Sequence, residues 1–184
     1  MEKKKIVVLG GGFGGLTAAQ ALDKFLRRND NVEITLINKS PNQIYLTELH
    51  QVAGNRIPAD GVEYSLKTAL EQTRINLVVD EIGKVDTEER KLYGIDSDYS
   101  YDYLVLACGA EPTFYGIPGL EEHSLTLWSY EDALRIRDHI VEMFKKASAE
   151  TDEAARREFL TFVVGGGGFT GIEMVGELEE WVED

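Results

Sequence analysis

The sequence predicts an α/β fold. A parallel sheet with crossover helices carries a small antiparallel meander, and the start of a second unit of the same kind follows. Three observations predict it. Residues 5–9 form a short apolar run that ends in Gly10-Gly11-Gly12-Phe13-Gly14-Gly15. A run of alternating polar and apolar residues, 33–37, lies one helix length further on. The pattern of apolar run, glycine turn and helix then recurs at residues 159–171. Apolar runs of this length bounded by glycine suit buried strands, and strands alternating with helical patterns suit a parallel sheet.

Taken in order, residues 5–9 are the first strand. Residues 13–27 place Leu16, Ala19, Leu22 and Phe25 or Leu26 on one helical face. Asn29-Asp30-Asn31 is a turn cluster, and residues 33–37 alternate before Asn38. Thr47, Leu49, His50 and Val52 suit a short helix, with His50 read either as a polar wall of a site or as a half-buried helix residue. Residues 66–73 form a further helix with Ser65 as its N-cap. Strands are expected at 76–80, 81–86 and 91–95, with the charged turn Thr87-Glu88-Glu89-Arg90 marking the meander. Residues 104–107 are continuously apolar, as a central parallel strand is. Ile117-Pro118-Gly119 marks a boundary. Ser129 and Asp132 open a helix to about Lys146 with a capping-box pattern. Residues 147–157 read as exposed helix or connection, and 159–164 as a buried strand.

The glycine spacing carries chemistry. Gly10, Gly12 and Gly15 match G-x-G-x-x-G, and Gly166, Gly168 and Gly171 match it again. The first glycine permits the tight turn, the second lets a pyrophosphate reach the backbone, and the third lets helix and strand meet closely. The helix N-terminus then faces the anion. An acid about 20 residues on ordinarily accepts the ribose hydroxyls. Asn38 stands there instead, able to accept through its amide oxygen but uncharged, with Lys39 beside it. Two dinucleotide sites in one chain imply a flavin and a nicotinamide with hydride passed between them.

On these residues the sequence resembles the two-dinucleotide-binding-domain flavoproteins, and among them the type II NADH dehydrogenases, the single-subunit NADH:quinone oxidoreductases. The resemblance rests on residues 7–15, 34–39, Thr47, Leu49-His50, 101–112, 116–119, 128–140 and 162–173. It implies a Rossmann-like FAD-binding domain over residues 1–118 and the beginning of a Rossmann-like NAD(P)-binding domain over 119–184. It also implies that Gly10, Gly12, Phe13, Gly14 and Gly15 line the FAD pyrophosphate. Asn38 and Lys39 would sit at the FAD ribose and Thr47 on the flavin side. Cys108 and Gly109 match the family's Ala-Thr-Gly turn that closes on FAD, with Cys in place of Thr. Gly166, Gly168, Phe169, Thr170 and Gly171 would receive NADH. Glu173 matches an acid near the nicotinamide–flavin junction; the alternative is a first-turn glutamate favoured by the helix dipole.

The chain of 184 residues holds one cysteine, so neither an internal disulfide nor the redox cysteine pair of the disulfide reductases is available. A formal net charge of −14 disfavours nucleic-acid binding. No metal site is expected. No apolar run approaches the roughly 18 residues of a spanning helix, so a soluble, cytoplasmic chain is expected. The family's acceptor-facing residues and membrane-attaching helices have no counterpart here. The chain therefore reads as an N-terminal portion, its parent peripheral on the cytoplasmic membrane face with a quinone as acceptor, and by itself not competent for full turnover. The alternatives are another pyridine nucleotide-dependent flavin reductase, or an inert nucleotide-binding module. Self-association is expected to cover the apolar surface of the incomplete second unit.

Overall fold

A computed structural model describes residues 3–183. By packing, the chain divides into two compact units, residues 1–44 with 63–110, and 45–62 with 111–184.

The first unit begins with β1 (Lys4–Leu9), α1 (Phe13–Leu26) and β2 (Val32–Asn38), the expected β-α-β crossover. β3 (Asn42–Ile44) follows, and the chain then leaves for the second unit through a 3-10 turn and α2 (Leu49–Ala53). It returns as β4 (Glu63–Ser65), which pairs antiparallel with β3. Next come α3 (Leu66–Leu70), β5 (Asn76–Val79), β6 (Ile82–Asp86), β7 (Lys91–Gly94), β8 (Asp98–Ser100) and β9 (Tyr103–Leu106). The main sheet is parallel throughout, in the order β5-β2-β1-β9.

Alternation along the strands builds two cores. Ile6, Val8, Ile34 and Leu36 face one way and pack with Ala19 of α1 and Leu66 and Leu70 of α3. Val7, Leu9 and Ile37 face the other way and pack with Leu92 of the β6-β7-β8 meander. Burying both faces explains why β1 reads as a near-continuous apolar run over residues 6–9.

Polar anchors close the ends. Lys4 pairs with Asp102 at 2.7 Å, and Asp102 also accepts the Lys5 N–H at 2.8 Å. Arg74 bonds Asp23 and donates to the Leu26 carbonyl at the end of α1, where a cation suits the dipole. The carboxylate of buried Asp80 accepts the N–H groups of Ile95, Asp96 and Ser97 and the hydroxyl of Tyr99.

The second unit is helical. α2 packs on α5 (Tyr130–Ala149) and α7 (Phe169–Glu183), and α6 (Glu153–Phe159) packs on α5. A one-turn helix, α4 (Leu120–His123), precedes them. Leu49, Val52, Ala133, Ile140, Ala147 and Met174 are buried. Phe144 meets Phe162 and Trp181 edge-on at 5.9 and 5.8 Å.

Four local expectations change. Residues 76–79 join the parallel sheet beside β2 rather than the meander, whose third strand is β8. β9 is parallel to β1 as expected but forms an outer edge, so Tyr103 and Leu106 are exposed. α3 stops at Leu70 because the Thr73 hydroxyl bonds the Leu70 carbonyl and turns the chain. Residues 159–164 are not a strand: Phe159 ends α6, the described residues of the second unit contain no strand to pair with, and Val163 is 88% exposed. An apolar run becomes a strand only where a neighbour takes up its N–H and C=O groups; here the Leu160 and Thr161 N–H groups instead bond back to the Arg156 and Glu158 carbonyls.

Candidate functional site

The first glycine turn is built from its neighbours. Gly10 has φ +106°, and a Cβ there would run into the Ala107 carbonyl. A Cβ on Gly15 would overlap the Gly10 carbonyl oxygen, so α1 lies directly against the end of β1. At Gly12 a Cβ would meet nothing within 4 Å. That side of the turn leaves the backbone accessible. Gly12 is the N-cap of α1, has no side-chain cap, and is followed by no acid in the first turn. The first N–H groups of a helix lack intrahelical partners, so this end attracts an anion.

The second turn repeats these relationships. Gly166 has φ +130°, a Cβ on Gly168 meets open space, and a Cβ on Gly171 would overlap the Gly166 carbonyl oxygen. The first helical bonds correspond too: Leu16 N–H to the Gly12 carbonyl at 2.9 Å, and Ile172 N–H to the Gly168 carbonyl at 3.1 Å. The difference lies in support. The first turn follows β1 and leans on Ala107, whereas nothing stands within 4 Å of a Cβ at Gly166.

Of the residues expected around these turns, Gly10, Gly12, Phe13, Gly14, Gly15, Asn38, Lys39, Cys108 and Gly109 lie in the first unit. Thr47, Gly166, Gly168, Phe169, Thr170, Gly171 and Glu173 lie in the second. Asn38 ends β2 with its amide turned to the glycine loop, its oxygen 2.8 Å from the Gly11 nitrogen. Lys39 is exposed. Cys108 is exposed with Sγ 3.8 Å from the Leu9 carbonyl oxygen, and Gly109 has φ +80° and an open side. Thr47 is exposed in the 3-10 turn Leu46–Glu48.

Glu173 is the fifth residue of α7, and no acid occupies that helix's first turn, so the dipole-favoured alternative does not apply. It is half-exposed, with Oε2 3.6 Å from Nδ1 of His50. Nε2 of His50 lies 3.9 Å from buried Glu177, whose carboxylate pairs with Nε of Arg56 at 2.9 Å. His50 is thus a half-buried residue of α2 that lies beside Glu173. Arg56 and Glu177 escaped the sequence reading, which gives Gly11 only as part of the glycine turn, without a role of its own. Only the i, i+4 spacing of Glu173 and Glu177 hinted at a shared face.

Among the described residues no cluster of three His, Cys, Asp or Glu side chains could hold a metal ion. Nor is any described helix long and apolar enough to cross a membrane.

A parallel sheet with a glycine turn between its first strand and first helix, and a second glycine turn ahead of α7, define a protein of the dinucleotide-binding α/β class. The chain belongs to the pyridine nucleotide-disulphide oxidoreductase family, whose model matches residues 4–182. Over its whole length it is 32% identical to the type II NADH:quinone oxidoreductase of Staphylococcus haemolyticus, covering 45% of that protein. The same identity and coverage hold for the type II NADH:quinone oxidoreductase of Staphylococcus aureus. The chain therefore spans about half the length of the curated relatives it matches. Its fold is similar to that of NDH2 from Plasmodium falciparum solved in complex with NADH, with a TM-score of 0.83 and 23% identity over 99% of this chain and 38% of that one.

Proposed function

We propose that this chain is the FAD-binding portion, with the start of the NADH-binding portion, of an NADH:quinone oxidoreductase. The observation that carries the reading is the repeated glycine geometry. In both copies the third glycine abuts the carbonyl of the first, and the second opens onto empty space.

Bound FAD would supply the two-electron chemistry linking NADH to a quinone, with one proton from solvent completing the quinol. The chain's own contribution is binding and orientation. Gly10, Gly12, Phe13, Gly14 and Gly15 hold the FAD pyrophosphate at the N-terminus of α1. Asn38 and Lys39 stand at the ribose end of that nucleotide. Gly109 leaves its side open for the cofactor, next to Cys108. Gly166, Gly168, Phe169, Thr170 and Gly171 receive NADH at the N-terminus of α7. Thr47 and Glu173 serve the flavin and nicotinamide ends, with His50 beside Glu173. The weak support of the second turn favours the reading that residues 1–184 alone bind flavin better than they turn over NADH. The quinone, any association between copies and attachment to a cytoplasmic membrane face belong to the same proposal.

The test is NADH:menadione turnover by the complete gene product with and without added FAD. Flavin-dependent turnover is the expected result, and turnover without flavin, or none with it, overturns the reading.

A further inference from the structure

We propose that Asn38 is a positioning residue: its side-chain amide locks the first glycine loop in its nucleotide-ready shape and makes no direct hydrogen bond to the ribose. This inference rests on the assignment of that loop to a dinucleotide.

The amide is committed on both sides. Its oxygen accepts the Gly11 N–H at 2.8 Å. Its nitrogen donates to the Ser40 carbonyl at 2.8 Å and to the Asn42 carbonyl at 3.4 Å. An Asn NH2 group has two protons, and both are directed at these carbonyls. Turning the amide over would set NH2 against an N–H and an oxygen against two carbonyls, so only one orientation satisfies the network. The contact is also tight. A Cβ on Gly11 would stand 2.9 Å from Cγ of Asn38 and 2.7 Å from a methyl of Leu66. The Cβ side of Gly11 is therefore closed by the Asn38 amide and by a fully buried leucine together. The backbone of Asn38 is fixed as well, since its carbonyl accepts the Asp80 N–H at 3.0 Å.

This arrangement explains why the residue is not the usual acid. A carboxylate of the same shape keeps the bond to the Gly11 N–H but has no proton for Ser40 and Asn42. It would set a negative oxygen against two carbonyl oxygens. Loop geometry here thus depends on a donor at a position where nucleotide-binding folds ordinarily carry only an acceptor. Recognition of the ribose passes to the exposed neighbour Lys39 and to backbone groups.

The experiment compares wild type with Asn38→Asp and Asn38→Ala in this full chain. Amide hydrogen exchange at Gly11 is followed in nucleotide-free protein. Affinity is measured for FAD and for its 2′,3′-dideoxyadenosine analogue by flavin fluorescence. Both variants are expected to exchange the Gly11 amide faster and to lose affinity about tenfold or more, by the same factor for the two ligands. Asn38→Asp, isosteric with wild type, keeps the test valid if Asn38→Ala does not fold. A variant that weakens FAD but not the analogue shows a direct ribose contact and overturns the proposal. Unchanged Gly11 exchange overturns it too. Faster exchange in a chain that binds no flavin supports the lock while removing the cofactor assignment.

Discussion

Gly54 and Glu177 meet so closely that a Cβ on the glycine would stand 2.5 Å from Cβ of the glutamate. Gly54 closes α2, its N–H donating to the His50 carbonyl at 2.8 Å, while Glu177 lies on α7 and is 5% exposed. The neighbour is a Cβ, fixed to its backbone, so it cannot swing aside as a side-chain tip could. Gly54→Ala is expected to push α2 off α7 and cost about 1–3 kcal/mol, as overpacking does. Urea denaturation followed by tryptophan fluorescence reads this loss, since Trp181 lies on the same helix. An unchanged midpoint contradicts it.

The second and third glycines of the first turn separate binding from stability. Gly12→Ala adds a methyl into open space, but alanine caps a helix less well than glycine, so a modest fall in melting temperature of about 1–3 °C is expected. Its flavin affinity should fall. Gly15→Ala drives a methyl into the Gly10 carbonyl and is expected to lower both stability and flavin content. Thermal melts and bound-flavin absorbance of the two variants, side by side, check the pair.

Acid should find Asp80 early. Its burial alone would raise its pKa, but the Tyr99 hydroxyl and the Asp96 and Ser97 N–H groups outweigh burial and hold it below the ordinary 3.8. As pH falls, the unfolded chain therefore takes up this proton before the folded one. The stabilisation is present above pH 3.8 and is lost as pH drops through the folded-state value below it. Asp80→Asn should lower the urea midpoint at pH 7, and the gap to wild type should narrow at about pH 3. A gap that is constant with pH contradicts the role.

Ser129 and Asp132 form a complete capping box, each side chain accepting the other's backbone N–H at 3.1 Å. Asp132 also accepts the Thr126 hydroxyl at 3.0 Å. Ser129→Ala is expected to cost about 1 kcal/mol and to fray the first turn of α5. Faster amide exchange confined to residues 130–133 is the signature.

What could be read from sequence was what local chemistry decides. The β1–α1–β2 crossover, the Ser65 and Ser129 caps and both glycine turns follow from short spacings, and the structure contains each of them. What could not be read is decided by partners far along the chain. The three residues of β8 are a strand only because β7 lies beside them. Residues 159–164 have strand composition but no strand among the described residues of the second unit to pair with. At the site, the glycine spacing pointed to a nucleotide. It could not show that Asn38 turns its amide inward to Gly11, because that depends on the carbonyls of Ser40 and Asn42 after the strand ends.

Residues 45–62 leave between β3 and β4, and α2 packs on helices that are synthesised much later. On the ribosome, Leu49, Val52 and Ala53 emerge with no cover until α5 and α7 follow. About 120 residues separate His50 from Glu173, so at common elongation rates this apolar face waits on the order of ten seconds for its partners. During that interval β3 and β4 can already pair and pinch the excursion into a closed loop. Translation speed between residues 63 and 184 thus becomes a determinant of yield, and a chaperone that shields short apolar helices has a defined time in which to act.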